Sequence, residues 1–360
     1  MKVTIIAGAR PNFMKIAPVI HAIQRAQSQG KNISYRLVHT GQHYDKNMSD
    51  TFFEELNIPQ PDVNLGVGGG TQAEQTAGIM IAFEKDLMAN PTDLVIVVGD
   101  VTSTMACSIV AKKLNTKVAH IEAGIRSWDL TMPEEINRMV TDSVADLYFT
   151  TSEVANTNLR TLGAKQGQIH FVGNVMIDTL LANQSRFIQP EIYRALQLSE
   201  KQYIMLTMHR PANVDEASKL QKTMQEIVNN VHGLPIIFPI HPRTAKIFKD
   251  LGIESSNLHI VEPMGYLEFN YMVQHSLAVI TDSGGITEET TVMGVPCITL
   301  RDNTERPETC TIGTNELIGT NPDAIKPTLE HLFAGKWKKG GIPELWDGKA
   351  AERIVEILTK

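Results

Sequence analysis

The sequence predicts an α/β protein built on two parallel, doubly wound sheets. Three observations carry that expectation. Short β-branched runs alternate with helix-like stretches along the whole chain, a rhythm that produces parallel strands covered by helices on both faces. Eleven such runs occur, more than one doubly wound sheet usually holds. A polar stretch without strand pattern, Asn183–Leu198, interrupts the series. A TIM barrel, with eight strands over about 250 residues, fits neither the count nor the break.

Taken in order, the expected strands are Val3–Ala7, Ser34–His39, Leu94–Val98, Lys117–His120, Leu147–Thr150, Gln168–Val172, Tyr203–Thr207, Pro235–Pro239, Leu258–Val261, Leu277–Thr281 and Cys297–Leu300. Helix-like periodicity marks Ala17–Gln27, Gln72–Met88, Thr102–Leu114, Glu134–Val144, Val154–Leu162, Glu216–Val231, Tyr266–Gln274 and Thr287–Met293. The first domain is expected over 1–173 and the second over 174–347, with the last helix, 348–360, packing back on the first.

The length of 360 residues suits two domains at about 150 residues each. Hydrophobic residues make up 42% and charged residues 20%, which excludes a disordered or collagen-like chain. The net charge is 33 − 40 = −7, which argues against nucleic-acid binding and leaves room for a local basic pocket. No apolar run approaches the roughly 18 residues of a membrane span, so no membrane association is expected. The N-terminal apolar stretch is too short for a signal peptide. Cys107, Cys297 and Cys310 form no CxxC pair, and an odd, scattered set fits a reducing cytoplasm better than a disulfide framework.

Ligands of open α/β sheets bind beyond the carboxyl ends of the strands, so the residues delivered there matter most. The first strand delivers Gly8-Ala9-Arg10-Pro11-Asn12-Phe13-Met14-Lys15. A helix starting near Pro11 would offer free N–H groups to an anion, with Arg10 and Lys15 adding charge. Two surface cations on a plain strand–helix turn fit equally well. Asp100 follows Leu94–Val98 and reads either as a ligand-facing carboxylate or as the cap of the next helix. Glu122, in His120-Ile121-Glu122-Ala123-Gly124-Ile125-Arg126, lies where a substrate would sit or else pairs with Arg126. Glu134 and Arg138 in Pro133-Glu134-Glu135-Ile136-Asn137-Arg138 are spaced for an i,i+4 pair.

The second half delivers Met208-His209-Arg210, Ile240-His241-Pro242-Arg243 and Thr281-Asp282-Ser283-Gly284-Gly285-Ile286-Thr287-Glu288-Glu289. A strand, Ser-Gly-Gly and a helix start make a phosphate cradle of backbone amides. Glu289, one turn into that helix, can accept hydrogen bonds from ribose hydroxyls. Histidines at or near four strand ends, His43, His120, His209 and His241, suggest a shared cleft. Gly68-Gly69-Gly70-Thr71-Gln72-Ala73 matches GxGxxA but follows no convincing strand, so it reads as a loop and helix start. There is no Walker sequence, no HExxH and no close His–His spacing, hence no metal site is expected.

In sequence order, GARPNFMK, GDVTST, HIEAGIR, PEEINR, TMHR, TDSGGITEE and RDNTERPE resemble the motifs of the non-hydrolysing UDP-N-acetylglucosamine 2-epimerases. The resemblance runs from Gly8 to the C-terminal helix. It implies two Rossmann-like domains in the GT-B architecture, with the active site in the interdomain cleft. It places acid/base groups at Asp100, Glu122, Glu134 and His209. Its nucleotide-contacting positions are Arg10, Lys15, Ser283, Gly284, Gly285 and Glu289, with Arg138 and His241 also in the cleft. It further implies a UDP-sugar substrate, no cofactor, a homodimer, and inversion at C2 by expulsion of UDP and its readdition through a 2-acetamidoglucal. One departure stands out. Many bacterial members follow His-Arg with Arg-Glu, whereas this chain has His209-Arg210-Pro211-Ala212. Activation by a second substrate molecule, known in some bacterial members, is thereby left without support. Sister epimerases acting on UDP-2,3-diacetamido-glucuronic acid share nearly all these motifs. A GT-B glycosyltransferase using a UDP-sugar would share the fold and the Ser-Gly-Gly site, but it does not need three acids around the sugar.

Overall fold

Leu94–Val98 reads Leu-Val-Ile-Val-Val and is buried at every position, as a strand covered on both faces must be. The computed structural model, which describes residues 1–41, 54–240, 248 and 252–360, makes it the middle strand of a seven-stranded sheet. The strands of this sheet are β1 (Lys2–Ala7), β2 (Ser34–His39), β3 (Val63–Asn64), β4 (Leu94–Val98), β5 (Lys117–Ile121), β6 (Leu147–Thr150) and β7 (Ile169–Phe171). They lie in the order β3-β2-β1-β4-β5-β6-β7, and every pair is parallel.

A second sheet holds β8 (Ile204–Thr207), β9 (Ile236–Pro239), β10 (Leu258–Val261), β11 (Ala278–Thr281), β12 (Cys297–Thr299) and β13 (Asn315–Leu317). Its order is β10-β9-β8-β11-β12-β13, again with parallel pairs throughout. In both sheets the strand order reverses beside the first strand, between β1 and β4 and between β8 and β11. A crevice opens at such a switch point, outside the carboxyl ends of the strands. The α/β class and the two doubly wound sheets are therefore as the sequence predicts. The eleven expected strands are all present within one or two residues. β3 and β13 are additional; they are edge strands of two and three residues, Val-Asn and Asn-Glu-Leu, too short and too polar to show a pattern.

The chain forms two compact units, 1–182 with 344–360, and 183–343. The first thus extends nine residues past the expected boundary at 173, and the return segment begins at 344 rather than 348. The reason is a helix not foreseen, Val175–Asn183. Its Asp178 carboxylate accepts the backbone N–H groups of Ala350 and Ala351 at 3.1 and 2.7 Å, which anchors the start of the helix Ala350–Leu358. Trp346, fully buried, donates from its indole to the Thr151 carbonyl at 3.0 Å. The second unit's core is built on Leu206, Phe238, Ile280, Ile298 and Leu329, where Phe248 meets Phe238 edge to face at 5.2 Å.

Candidate active site

In the first unit, β1 ends at Gly8, where an added Cβ would lie 2.0 Å from Ser103 Oγ. Only glycine lets this turn pass the helix Thr102–Lys113. Asn12 closes the turn. Its Oδ1 accepts the Gly8 and Ala9 N–H groups at 2.9 and 3.0 Å, and its Nδ2 donates to the Val98 carbonyl at 3.2 Å. The helix Arg10–Ser28 begins here with Pro11 in its first turn. The Arg10 side chain lies outside the described atoms. Lys15, just over a turn further on, donates to Glu122 Oε2 at 2.6 Å, with both side chains largely buried.

Glu122 follows β5 and holds a φ of 67°. A non-glycine residue in this left-handed region costs on the order of 1–3 kcal/mol, so the surroundings must impose it. One strand away, Asp100 pairs with Arg138, whose other guanidinium nitrogen reaches Glu135 at 2.7 Å. Asn137 Nδ2 donates to the Asp100 carbonyl at 2.9 Å. Glu134 is exposed in the first turn of the helix Pro133–Val144. Lys15, Asp100, Glu122 and Arg138 thus come together at the carboxyl ends of β1, β4 and β5.

Three of the blander readings are corrected by this geometry. The helix after Asp100 takes Val101 as its N-cap, with no side-chain cap, so Asp100 is free to pair with Arg138. Glu122 pairs with Lys15, while Arg126 goes to Asp142 at 2.7 Å. Arg138 takes Glu135, three residues back and fully buried, in place of a solvated pair with Glu134. The histidine count also needs revision. His120 is fully buried, with Nδ1 2.6 Å from Asp142 Oδ1 and Nε2 2.8 Å from the Gly99 carbonyl. It braces the ends of β4 and β5 and does not line a cleft. Burial pushes the Asp142 carboxyl up, but His120 and Arg126 outweigh it and leave the group below the usual range. His43 and His241 lie outside the described residues.

In the second unit, β11 runs into Asp282 and Ser283, and the helix Gly284–Met293 follows with Ser283 as N-cap and no side-chain cap bond. Ser283, Gly284 and Gly285 are partly exposed; the Ser283 N–H donates to Thr281 Oγ1 at 3.0 Å, so the N–H groups a ligand can reach at this helix N-terminus are those of Gly284 and Gly285. A Cβ on Gly284 would meet Arg301 Nη1 and Glu305 Oε2, each at 3.7 Å. Arg301 is held in a two-point pair with Glu305 at 2.8 and 2.9 Å. His209, mostly exposed, sets its Nδ1 2.8 Å from Asp282 Oδ1. Glu289 is buried and accepts from the Tyr266 hydroxyl at 3.1 Å. Burial pushes its carboxyl up to about 7, with neighbouring Glu288 adding to the rise.

Sequence reasoning missed Glu135, Asp142 and Asp282. Each is buried beside a residue that was singled out, and each acts by accepting hydrogen bonds from it. The only available signal was the position of Glu135 and Asp282 inside the motifs; Asp142, four residues past PEEINR, had none. Among the described residues, no group of three or more His, Cys, Asp or Glu side chains could hold a metal ion. No helix there is long and apolar enough to cross a membrane.

Two switch points, one with paired carboxylates and cations at its strand ends and one with a glycine-opened helix beside a histidine, make up the candidate active site of an α/β enzyme. The comparisons with known proteins agree on which kind. The family model for UDP-N-acetylglucosamine 2-epimerase matches residues 25–359. The UDP-N-acetylglucosamine 2-epimerase of Methanocaldococcus jannaschii is 41% identical over 371 residues, covering 100% of this chain and 99% of that protein. The UDP-2,3-diacetamido-2,3-dideoxy-D-glucuronate 2-epimerase of Pseudomonas aeruginosa is 39% identical over 366 residues, covering 100% of both. The crystal structure of the M. jannaschii UDP-GlcNAc 2-epimerase in complex with UDP-GlcNAc and UDP matches with a TM-score of 0.89, covering 100% of this chain and 99% of that one. The chain belongs to the UDP-N-acetylglucosamine 2-epimerase family and is an isomerase.

Proposed function

We propose that this protein interconverts UDP-N-acetylglucosamine and UDP-N-acetylmannosamine by inverting C2 of the sugar. The observation that carries the reading is Glu122, held at φ 67° with its carboxylate on Lys15, one strand from the Asp100–Arg138 pair. Strain kept beside paired charges at a switch point is the mark of a site organised for chemistry.

No carbonyl acidifies the C2–H of this sugar, so direct proton removal is hard. Breaking the anomeric C–O bond first, with loss of UDP and then of the C2 proton, gives a 2-acetamidoglucal. Protonation on the opposite face and readdition of UDP complete the inversion. The leaving diphosphate needs donors, supplied by the hydroxyl of Ser283 and the amides of Gly284 and Gly285 with Arg10 and Lys15. Positive charge developing at C1 is offset by Asp100, Glu122 and Glu134. Proton removal and return on two faces require two acid/base groups, drawn from these carboxylates and His209. Glu289 binds the ribose, and Arg138 and His241 complete the site.

Incubation with UDP-GlcNAc alone in D2O tests the proposal. UDP-ManNAc carrying deuterium at C2 is the expected product. A glycosyltransferase would give no epimer without an acceptor, and a product that keeps its original proton would exclude the elimination route. A second reading, C2 inversion of UDP-2,3-diacetamido-glucuronic acid, is favoured by the full-length similarity to the P. aeruginosa enzyme. Comparing kcat/KM for the two substrates decides between them. A homodimer and a cytoplasmic location belong to the same proposal, checked by light scattering and by fractionation of the source cells.

A further inference from the structure

We propose that Asp282 is the positioning residue of His209: it fixes which imidazole nitrogen carries the proton and keeps the other pointed at the substrate. This rests on the role given above to His209. Asp282 is fully buried at the carboxyl end of β11, directly before the Ser-Gly-Gly turn. Its Oδ1 faces His209 Nδ1 at 2.8 Å. Its Oδ2 accepts the backbone N–H groups of His209 and Arg210 at 3.0 and 2.9 Å, and the Asn213 side-chain amide at 3.1 Å. The same Asn213 amide donates to the Leu300 carbonyl at 3.0 Å, and Arg210 Nε returns to the Asp282 carbonyl at 3.0 Å. One carboxylate therefore ties the loops after β8, β11 and β12 together.

The chemistry follows from donors and acceptors. An ionised carboxylate only accepts, so Nδ1 must carry the hydrogen that faces it. The neutral ring is then the Nδ1–H tautomer, with its lone pair on Nε2. Asp282 is ionised wherever the enzyme works: burial pushes it up, but the hydrogen bonds from His209, Arg210 and Asn213 hold it at about 2. When Nε2 gains a proton, the carboxylate 2.8 Å away stabilises the imidazolium. This is the logic of a carboxylate behind a catalytic histidine, here assembled from two loops at the carboxyl ends of adjacent strands.

Nitrogen-detected NMR on histidine-labelled full-length protein tests the tautomer directly, with the His209→Gln spectrum giving the assignment. In the wild type the neutral His209 ring should be a single species protonated at Nδ1. A ring protonated at Nε2, or a tautomer mixture, overturns the proposal without any Asp282 variant and without measuring turnover. Asp282→Asn should then populate the other tautomer and lower kcat by roughly 10- to 10⁴-fold, the scale of a carboxylate lost behind a histidine, while UDP binding by calorimetry stays within a few-fold. Parallel loss of UDP affinity and kcat, with the tautomer unchanged, would reduce Asp282 to a loop tie and also overturn the proposal. If His209→Gln retains turnover while the wild-type tautomer is as stated, the failure lies in the role of His209 and not in its positioning.

Discussion

Glu289 makes the sharpest energetic test of the second unit. Its carboxyl is buried in the helix Gly284–Met293 with the Tyr266 hydroxyl on Oε1, and burial raises it from 4.5 to about 7. In the unfolded chain it returns to its ordinary value. Below pH 4.5 the group is protonated in both states, and the folded state carries no charge penalty. Between 4.5 and 7 the unfolded chain ionises while the folded one keeps its proton, so stability falls by about 1.4 kcal/mol per pH unit. Above 7 the loss is complete, at about 3 kcal/mol. Glu289→Gln copies the shape of the neutral acid and still accepts from Tyr266. It should therefore be more stable than wild type by about 3 kcal/mol at pH 8 and by about 1 kcal/mol or less at pH 5. Glu308, also buried and pushed up to about 7, contributes a similar slope to both proteins and cancels in the difference. Urea series read by hydrogen exchange of peptides over 204–207 and 278–281 report this unit separately from the first. A gain independent of pH, or a loss at pH 8, would refute the assignment of a charge penalty to this carboxyl.

The same residue has a binding consequence at pH 8, where its carboxyl is ionised: Glu289→Ala should weaken UDP there by roughly 10- to 150-fold, from the loss of charged hydrogen bonds to the ribose, and mostly in KM; unchanged affinity by calorimetry at that pH would remove the ribose role. Asp100→Asn, Glu122→Gln and Glu134→Gln should each keep the fold by circular dichroism and lower kcat by roughly 10²-fold or more. Near-normal turnover in all three would take the carboxylates out of the chemistry. Asp178→Ala should destabilise the first unit by about 1–3 kcal/mol, because two backbone N–H groups at the start of the helix Ala350–Leu358 lose their acceptor; unaltered exchange protection over 350–358 would show that packing alone holds that helix.

The sheets were legible because their cores are written in period and composition. A run such as Leu-Val-Ile-Val-Val can be stable only between two layers of helices, and Ser-Gly-Gly after a strand has few other uses. The domain boundary was less legible. Val175–Asn183 follows a glycine and carries a weak amphipathic pattern, and what assigns it to the first unit is Asp178 reaching Ala350 and Ala351, more than 170 positions away in sequence. No local signal encodes a contact of that range. The edge strands β3 and β13 were invisible for a different reason: with two or three residues each, pairing with a neighbour defines them and side-chain pattern does not.

The candidate site was legible in its donors and acceptors but not in their pairing. Spacing on one helix pointed Arg138 to Glu134. In the fold, Arg138 instead joins buried Glu135 to Asp100 across two elements, leaving Glu134 exposed at a helix N-terminus. Glu135 also accepts the N–H groups of Ser127 and Trp128 at 3.0 and 3.1 Å, so a single buried carboxylate orients both the arginine and the loop before the helix. Of two adjacent glutamates, one is taken up by structure, and the other is left facing solvent. Asp282 does the same in the second unit, taking up four donors so that His209 keeps one nitrogen free. A buried acceptor behind each exposed acid or base is what a preorganised site needs. These groups cannot be told from ordinary polar residues in sequence, because what distinguishes them is the direction in which the fold turns them.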